Sequence, residues 1–241
     1  MSRDFQELDY RETPLGELTL RRRRLKSLGD LEIFEVKLGD AFLMSSLFHD
    51  VEVALADLGL GELDVAPPWD VVVGGLGLGY TATAALQHSD LGSLLVVDAL
   101  EPVIQWHRRG LVPLGANLTG DERCRLVHAD FFDLANSPDG FDPERAARRF
   151  HAVLLDIDHS PRDLLHARHA SFYGPIGLRM LRSQLQPRGI FAMWSDESPD
   201  EPFMDDLARV FDDVRSHVVT FQNPLLESQS ASTVYVARNG G

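Results

Sequence analysis

The sequence predicts an α/β fold: a doubly wound, mostly parallel sheet with an antiparallel hairpin at one edge, preceded by a small antiparallel β unit. Three observations carry this expectation. Short apolar runs at residues 71–73, 94–97, 124–127, 152–155 and 190–194 alternate with helix-like segments at 81–87, 103–109 and 173–185. Such alternation is the mark of parallel strands joined by crossover helices. A glycine-rich turn, Gly74-Gly75-Leu76-Gly77-Leu78-Gly79, follows the first of these runs. Ahead of it, strand-like stretches are separated by Gly29-Asp30 and Gly39-Asp40, a hairpin signal.

Taken in order, residues 1–66 read as a small β unit with a linking helix. Leu18 and Leu20, then 31–36, then 41–44 supply its strands, and 50–59 is a helix stopped at Gly59. Pro67 and Pro68 break the chain before Trp69, and residues 67–241 form the α/β domain. Late in that domain a helix at 203–211 precedes two runs, 214–221 and 233–237, that pair antiparallel at the sheet edge. Residues 136–143, Asn-Ser-Pro-Asp-Gly-Phe-Asp-Pro, form a surface turn.

The 241 residues, 44% hydrophobic, suffice for one sizeable α/β domain with a small appendage. Cys124 is the only cysteine, so a disulfide within the chain is impossible and a reducing, cytoplasmic setting is expected. No run approaches the roughly 18 apolar residues of a membrane span, and Met1–Glu7 lacks an apolar leader segment. The expectation is a soluble protein made without export. A formal net charge of −14 argues against nucleic-acid binding, which needs a basic footprint, and suits a cationic substrate. The one basic cluster, Arg21–Arg24 with Lys26, reads as an exposed strand or turn.

Ligands of a doubly wound sheet lie outside the carboxyl ends of its strands. Gly74, Gly75, Gly77 and Gly79 permit positive φ and close approach of a ligand at one such end, with a helix starting at Tyr80. Asp98 closes the run 94–97, about 20 residues beyond the turn, where a carboxylate accepts both ribose hydroxyls. Asp130 closes 124–129, and Asp156 closes 152–155 with Asp158 two residues on. Each alone fits a helix cap or a turn. Their recurrence after consecutive strands, with the glycine turn, points to an adenosine-containing cofactor.

Asp156-Ile157-Asp158-His159-Ser160-Pro161, Phe172-Tyr173 and Leu185-Gln186-Pro187-Arg188-Gly189-Ile190-Phe191-Ala192-Met193-Trp194-Ser195 resemble the polyamine aminopropyltransferase (spermidine synthase) family. The likeness spans roughly residues 70–195 and is closest to a short, divergent bacterial branch within the S-adenosylmethionine-dependent methyltransferase-like superfamily. It implies a methyltransferase-like, seven-stranded sheet and transfer of aminopropyl from decarboxylated S-adenosylmethionine to a diamine. Carried over, Asp98 holds the ribose, Asp130 the adenine amino group, and Asp156 receives the proton of the attacking amine. Asp158 or His159 positions that amine, and Trp194 lines the channel or packs in the core. The resemblance also implies a homodimer.

The sequence departs from the family pattern in three places. Gly77 stands where the family carries an aspartate that helps hold the donor's amine. His159 replaces a second substrate-binding aspartate, with Asp158 beside it. The segment Leu47-Phe48-His49-Asp50-Val51-Glu52 does not reproduce the family's substrate-side Tyr-Gln-Glu-His-like stretch. Two other readings stay open: a methyltransferase using intact S-adenosylmethionine, and a non-catalytic adenosine-ligand-binding protein. His159, His166 and His169 lie close in sequence, but with no cysteine nearby they read as capping or solvent-facing residues, and no metal is expected. Ser195 lacks a Gly-x-Ser-x-Gly elbow.

Overall fold

A computed structural model describes residues 4–226 and 228–240. Four strands, β1 (Phe5–Thr13), β2 (Gly16–Leu25), β3 (Leu31–Leu38) and β4 (Ala41–Ser45), form an antiparallel meander in sequence order. Its two later turns use Gly29-Asp30, both at positive φ, and Gly39, φ 55°. Each Gly-Asp pair that reads as a hairpin signal therefore supplies left-handed backbone to its turn, through both residues in the first and through Gly39 in the second. β1 was not among the expected strands: its burial pattern is mostly exposed, so no apolar alternation marks it.

Helix α1 (Asp50–Gly61) leads into a seven-stranded sheet built from β5 (Trp69–Gly74), β6 (Leu91–Asp98), β7 (Cys124–His128), β8 (Phe150–Leu155), β9 (Leu185–Ser195), β10 (Asp213–Asn223) and β11 (Ser228–Arg238). The spatial order is β10-β11-β9-β8-β5-β6-β7. The five strands from β9 to β7 are parallel, and β11 and β10 are antiparallel. The crossovers carry α2 (Tyr80–Leu86), α3 (Glu101–Arg108), α4 (Gly115–Gly120), α5 (Phe131–Asn136), α6 (Pro175–Ser183) and, before the hairpin, α7 (Glu201–Ala208). This is the methyltransferase-like arrangement.

Continuous apolar runs form the central strands because both faces of the sheet are covered. The two-residue repeat of a strand sorts them: Val71, Val73, Leu94, Val96, Leu154 and Ala192 join one core with α1, α2 and α3. Val72, Leu95, Val97, Val153, Leu155 and Phe191 join the other with α5, α6 and α7. Leu18, Leu20 and Val36 of the small sheet belong to the first core. Helix α1 lies directly on the large sheet, where a Cβ on Gly59 would come within 2.7 Å of Leu154 and 3.1 Å of Ala192. The indole N–H of buried Trp106 on α3 donates to Asp9 of β1 at 2.8 Å, tying the small sheet to the large domain.

Candidate active site

The order of strands reverses at β5: the chain passes to β6 on one side and later returns to β8 on the other. That is the topological switch point, where the carboxyl ends of adjacent strands splay their loops apart. Register aligns the site. Gly74 stands level with Val97 of β6 and with Leu155 of β8, and Leu155 with Met193 of β9. The next residue on each strand is therefore Gly75, Asp98, Asp156 or Trp194, a row along the carboxyl edge. Asp98 in turn is level with His128 of β7, which places Asp130 two residues beyond that strand.

A cavity of about 420 Å³ opens over this row. Gly75, Gly77, Asp98, Asp130, Asp156, His159 and Trp194 all line it. Of the four glycines, Gly75 and Gly77 face the cavity. Both have positive φ, 94° and 46°, and a Cβ on Gly75 would overlap the Asp156 carbonyl oxygen. Gly74 and Gly79 serve packing: a side chain on Gly74 would overlap Phe131, and one on Gly79 would come within 2.7 Å of Leu118 and 2.9 Å of His107. His107 is buried, pairs through Nε2 with the Gly77 carbonyl at 2.9 Å, and braces the turn from behind.

Asp98 accepts the Leu76 amide at 2.9 Å on one oxygen and the Leu100 amide at 2.7 Å on the other. The carboxylate is thus locked between the glycine turn and the start of α3. Burial raises its pKa, and the Leu100, Leu76 and Gly77 amides oppose that rise. Asp130 caps α5, accepting the Phe132 amide at 2.9 Å and the Asp133 amide at 3.1 Å, and its other oxygen pairs with Arg168. Capping and cavity lining coincide in this residue.

Asp156 accepts the Thr81 hydroxyl at 2.7 Å. Burial pushes its pKa up to about 6, which the Thr81 hydrogen bond opposes. The ring of His159 lies edge-on to Trp194, centroids 6.3 Å apart, and both line the cavity. Asp158 does not reach the cavity. Its carboxylate is buried and accepts from Leu165 N at 2.8 Å, His169 Nδ1 at 2.9 Å and Tyr173 OH at 2.8 Å. A continued strand would set Asp156 and Asp158 on one face, but β8 ends at Leu155 and the turn beyond it carries Asp158 into different surroundings, where its network fixes the loop that follows.

The structure also brings in residues that the sequence reading did not select: Met44, Phe48, His49, Asp50, Glu52 and Tyr80. Glu52 stands in the first turn of α1 and faces Asp156. Burial first, then the Asp156 charge, pushes its pKa up to about 8. A signal existed, because Glu52 interrupts the apolar run Val51-Val53-Ala54-Leu55 with an acid. The sulfur of Met44 lies against the glycine turn and accepts the Leu78 amide at 3.1 Å. Among the described residues, six carboxylates and no lysine or arginine line the cavity, and no group of His, Cys, Asp and Glu is arranged to hold a metal ion. Nor is any helix among them long and apolar enough to cross a membrane.

With switch point, glycine turn and acidic row in place, the fold is of the spermidine synthase-like class. Two solved structures illustrate the likeness. One is the crystal structure of spermidine synthase from Thermotoga maritima, which aligns with a TM-score of 0.73 at 14% identity over 98% of this chain and 73% of the other. The other is spermidine synthase in complex with the transition-state analogue AdoDATO, with a TM-score of 0.72, 14% identity and the same coverage of 98% and 73%. At this identity the likeness is one of fold. No protein-family model and no curated protein matches the sequence.

Proposed function

We propose that this protein is an aminopropyltransferase-like enzyme, moving an aminopropyl group from decarboxylated S-adenosylmethionine to a small polyamine. The observation that carries the reading is the lining at the switch point: Asp50, Glu52, Asp98, Asp130, Asp156 and Asp196, with no lysine or arginine in the lining among the described residues and only Asp130 paired with an arginine, Arg168. A cationic ligand is held by such a wall, whereas the α-carboxylate of intact S-adenosylmethionine would meet like charge.

The residues fit the donor. Asp98, beside the glycine turn, is assigned the ribose, and Asp130, whose second oxygen pairs with Arg168, is assigned the adenine end, as the family resemblance implies; Gly75 and Gly77 let the turn pack against the Asp156 carbonyl and the Met44 sulfur, which brings these acids to one crevice. The donor supplies a sulfonium-activated carbon: the C–S bond breaks as the amine forms a C–N bond, and the sulfur leaves as a neutral thioether. Asp156 then has two tasks. Ionised at neutral pH, it attracts the ammonium form of the acceptor, and it takes the proton that the amine must lose to be nucleophilic. Holding the nitrogen in line with the C–S bond supplies much of the remaining acceleration. His159 and Trp194 form the adjoining wall, where an aromatic face suits an alkylammonium chain. Asp158 is left out of this assignment, since its oxygens are engaged elsewhere.

One observation favours a second reading, methyl transfer from intact S-adenosylmethionine: the glycine turn itself carries no acid at position 77. A turnover assay with the decarboxylated donor and a panel of diamines and polyamines, following methylthioadenosine, tests the first. Product is expected from the wild type, and Asp156→Asn should be about 10²–10⁴-fold slower while still binding methylthioadenosine. Absence of product with every amine overturns the reading, and undiminished turnover in Asp156→Asn removes the base.

A further inference from the structure

We propose that Glu52 is a specificity residue of this cavity: with Asp156 it forms a two-carboxylate seat, one wall from α1 and the other from the end of β8, for a single ammonium group of the substrate. The proposal deepens the reading above and rests on it in taking the cavity as an amine site.

Glu52, from α1, and Asp156, from the end of β8, line the same cavity, and the charge of Asp156 reaches Glu52. Neither carboxylate has an arginine or lysine partner among the described residues. Asp156 receives one neutral hydroxyl, from Thr81 at 2.7 Å. The groups facing Glu52 are Asp156, the Tyr80 phenol at the start of α2, and Asp50 in its own turn, with His49 stacked on Tyr80 at 4.4 Å. None is a permanent cation. The same cavity wall carries Leu43, Met44, Phe48 and Val51, and its uncharged polar residues Ser45, Asn223 and Ser232 bring no charge to the pair.

An unpaired acid in such surroundings is costly to ionise, and two facing each other are worse. The pair relieves this by keeping a proton on Glu52, whose pKa burial and then the Asp156 charge push up to about 8. A hydrophobic residue would remove the cost, so as a purely structural device the pair works against stability. An alkylammonium resolves it: its N–H donors reach both walls, and its charge lets both carboxylates ionise. Entry of the cation therefore expels the proton that the pair holds. Glu52 remains a fixed anion, and Asp156 stays free for the reacting proton.

Calorimetry of 1,4-diaminobutane binding at pH 7, in two buffers of different ionisation enthalpy, tests this. The wild type should bind the diamine and release up to about one proton. Glu52→Gln, which copies the protonated form, should fold with an unchanged circular dichroism spectrum, bind about tenfold or more weakly and release no proton. No diamine binding by the wild type, or equal affinity and proton release in Glu52→Gln, overturns the assignment. A wild type that binds the diamine as expected but makes no product from the decarboxylated donor overturns the reaction proposed above and leaves the seat standing.

Discussion

At the scale of single residues, the site depends on side chains that are missing as much as on those present. Gly75 combines φ 94° with a hydrogen that points at the Asp156 carbonyl, so that a methyl group there would force the ends of β5 and β8 apart. Gly75→Ala should cost more than about 2 kcal/mol in denaturant unfolding and abolish nucleoside binding. Gly61→Ala, at the end of α1 with nothing within 4 Å of the new methyl group, should be neutral or slightly stabilising. Equal destabilisation by both would contradict the account of the turn. The residue scale is also where the sequence was most and least legible. Asp98, Asp130 and Asp156 could be picked out because each ends an apolar run, and register then sets them beside one another. Asp158 read as their equal because two residues of separation at a strand end look alike in sequence. Only packing reveals that His169 and Tyr173 enclose it.

At the scale of elements, short polar caps decide where the loops point. Asp130 begins α5 by accepting two backbone amides, which sets the direction of the chain beyond β7. Asp130→Ala should lower stability by about 1–2 kcal/mol, and Asp130→Asn, which caps as well, should recover most of that loss despite giving up the charge facing Arg168. Unfolding curves of the two variants check this, and identical losses would show that the ion pair rather than the cap matters. The parallel strands and the glycine corner were readable because burial on both faces leaves uninterrupted apolar runs. β1 was not, since it lies mostly exposed. Nor were α4 and α5, each six residues long, too short for a helical period to emerge. Helix α1 could be read as a helix, but not as the carrier of Glu52 into the cavity, because its docking on Leu154 and Ala192 is tertiary information.

At the scale of the whole molecule, a net charge of −14 draws dications toward the protein, and the cavity concentrates that preference in one place. The same acids tax the ligand-free fold. Glu52 and Asp156 hold protons more tightly folded than unfolded, with pKa values raised to about 8 and about 6. Their contribution is therefore fully present below the ordinary values of 4.5 and 3.8 and is lost progressively as pH rises from there to the raised ones. Glu52→Gln should melt at the wild-type temperature near pH 4 and at least about 3 °C higher near pH 8. Thermal scans at the two pH values check this, and a difference independent of pH would mean that Glu52 does not titrate in this range.

The central claim is that an acid-walled crevice at the switch point selects a nucleoside donor lacking a carboxylate. Titration calorimetry comparing decarboxylated with intact S-adenosylmethionine on the wild-type protein tests it most directly. The account predicts that the decarboxylated form binds at least about tenfold more tightly. Equal or tighter binding of the carboxylated form would contradict it and turn the assignment toward methyl transfer.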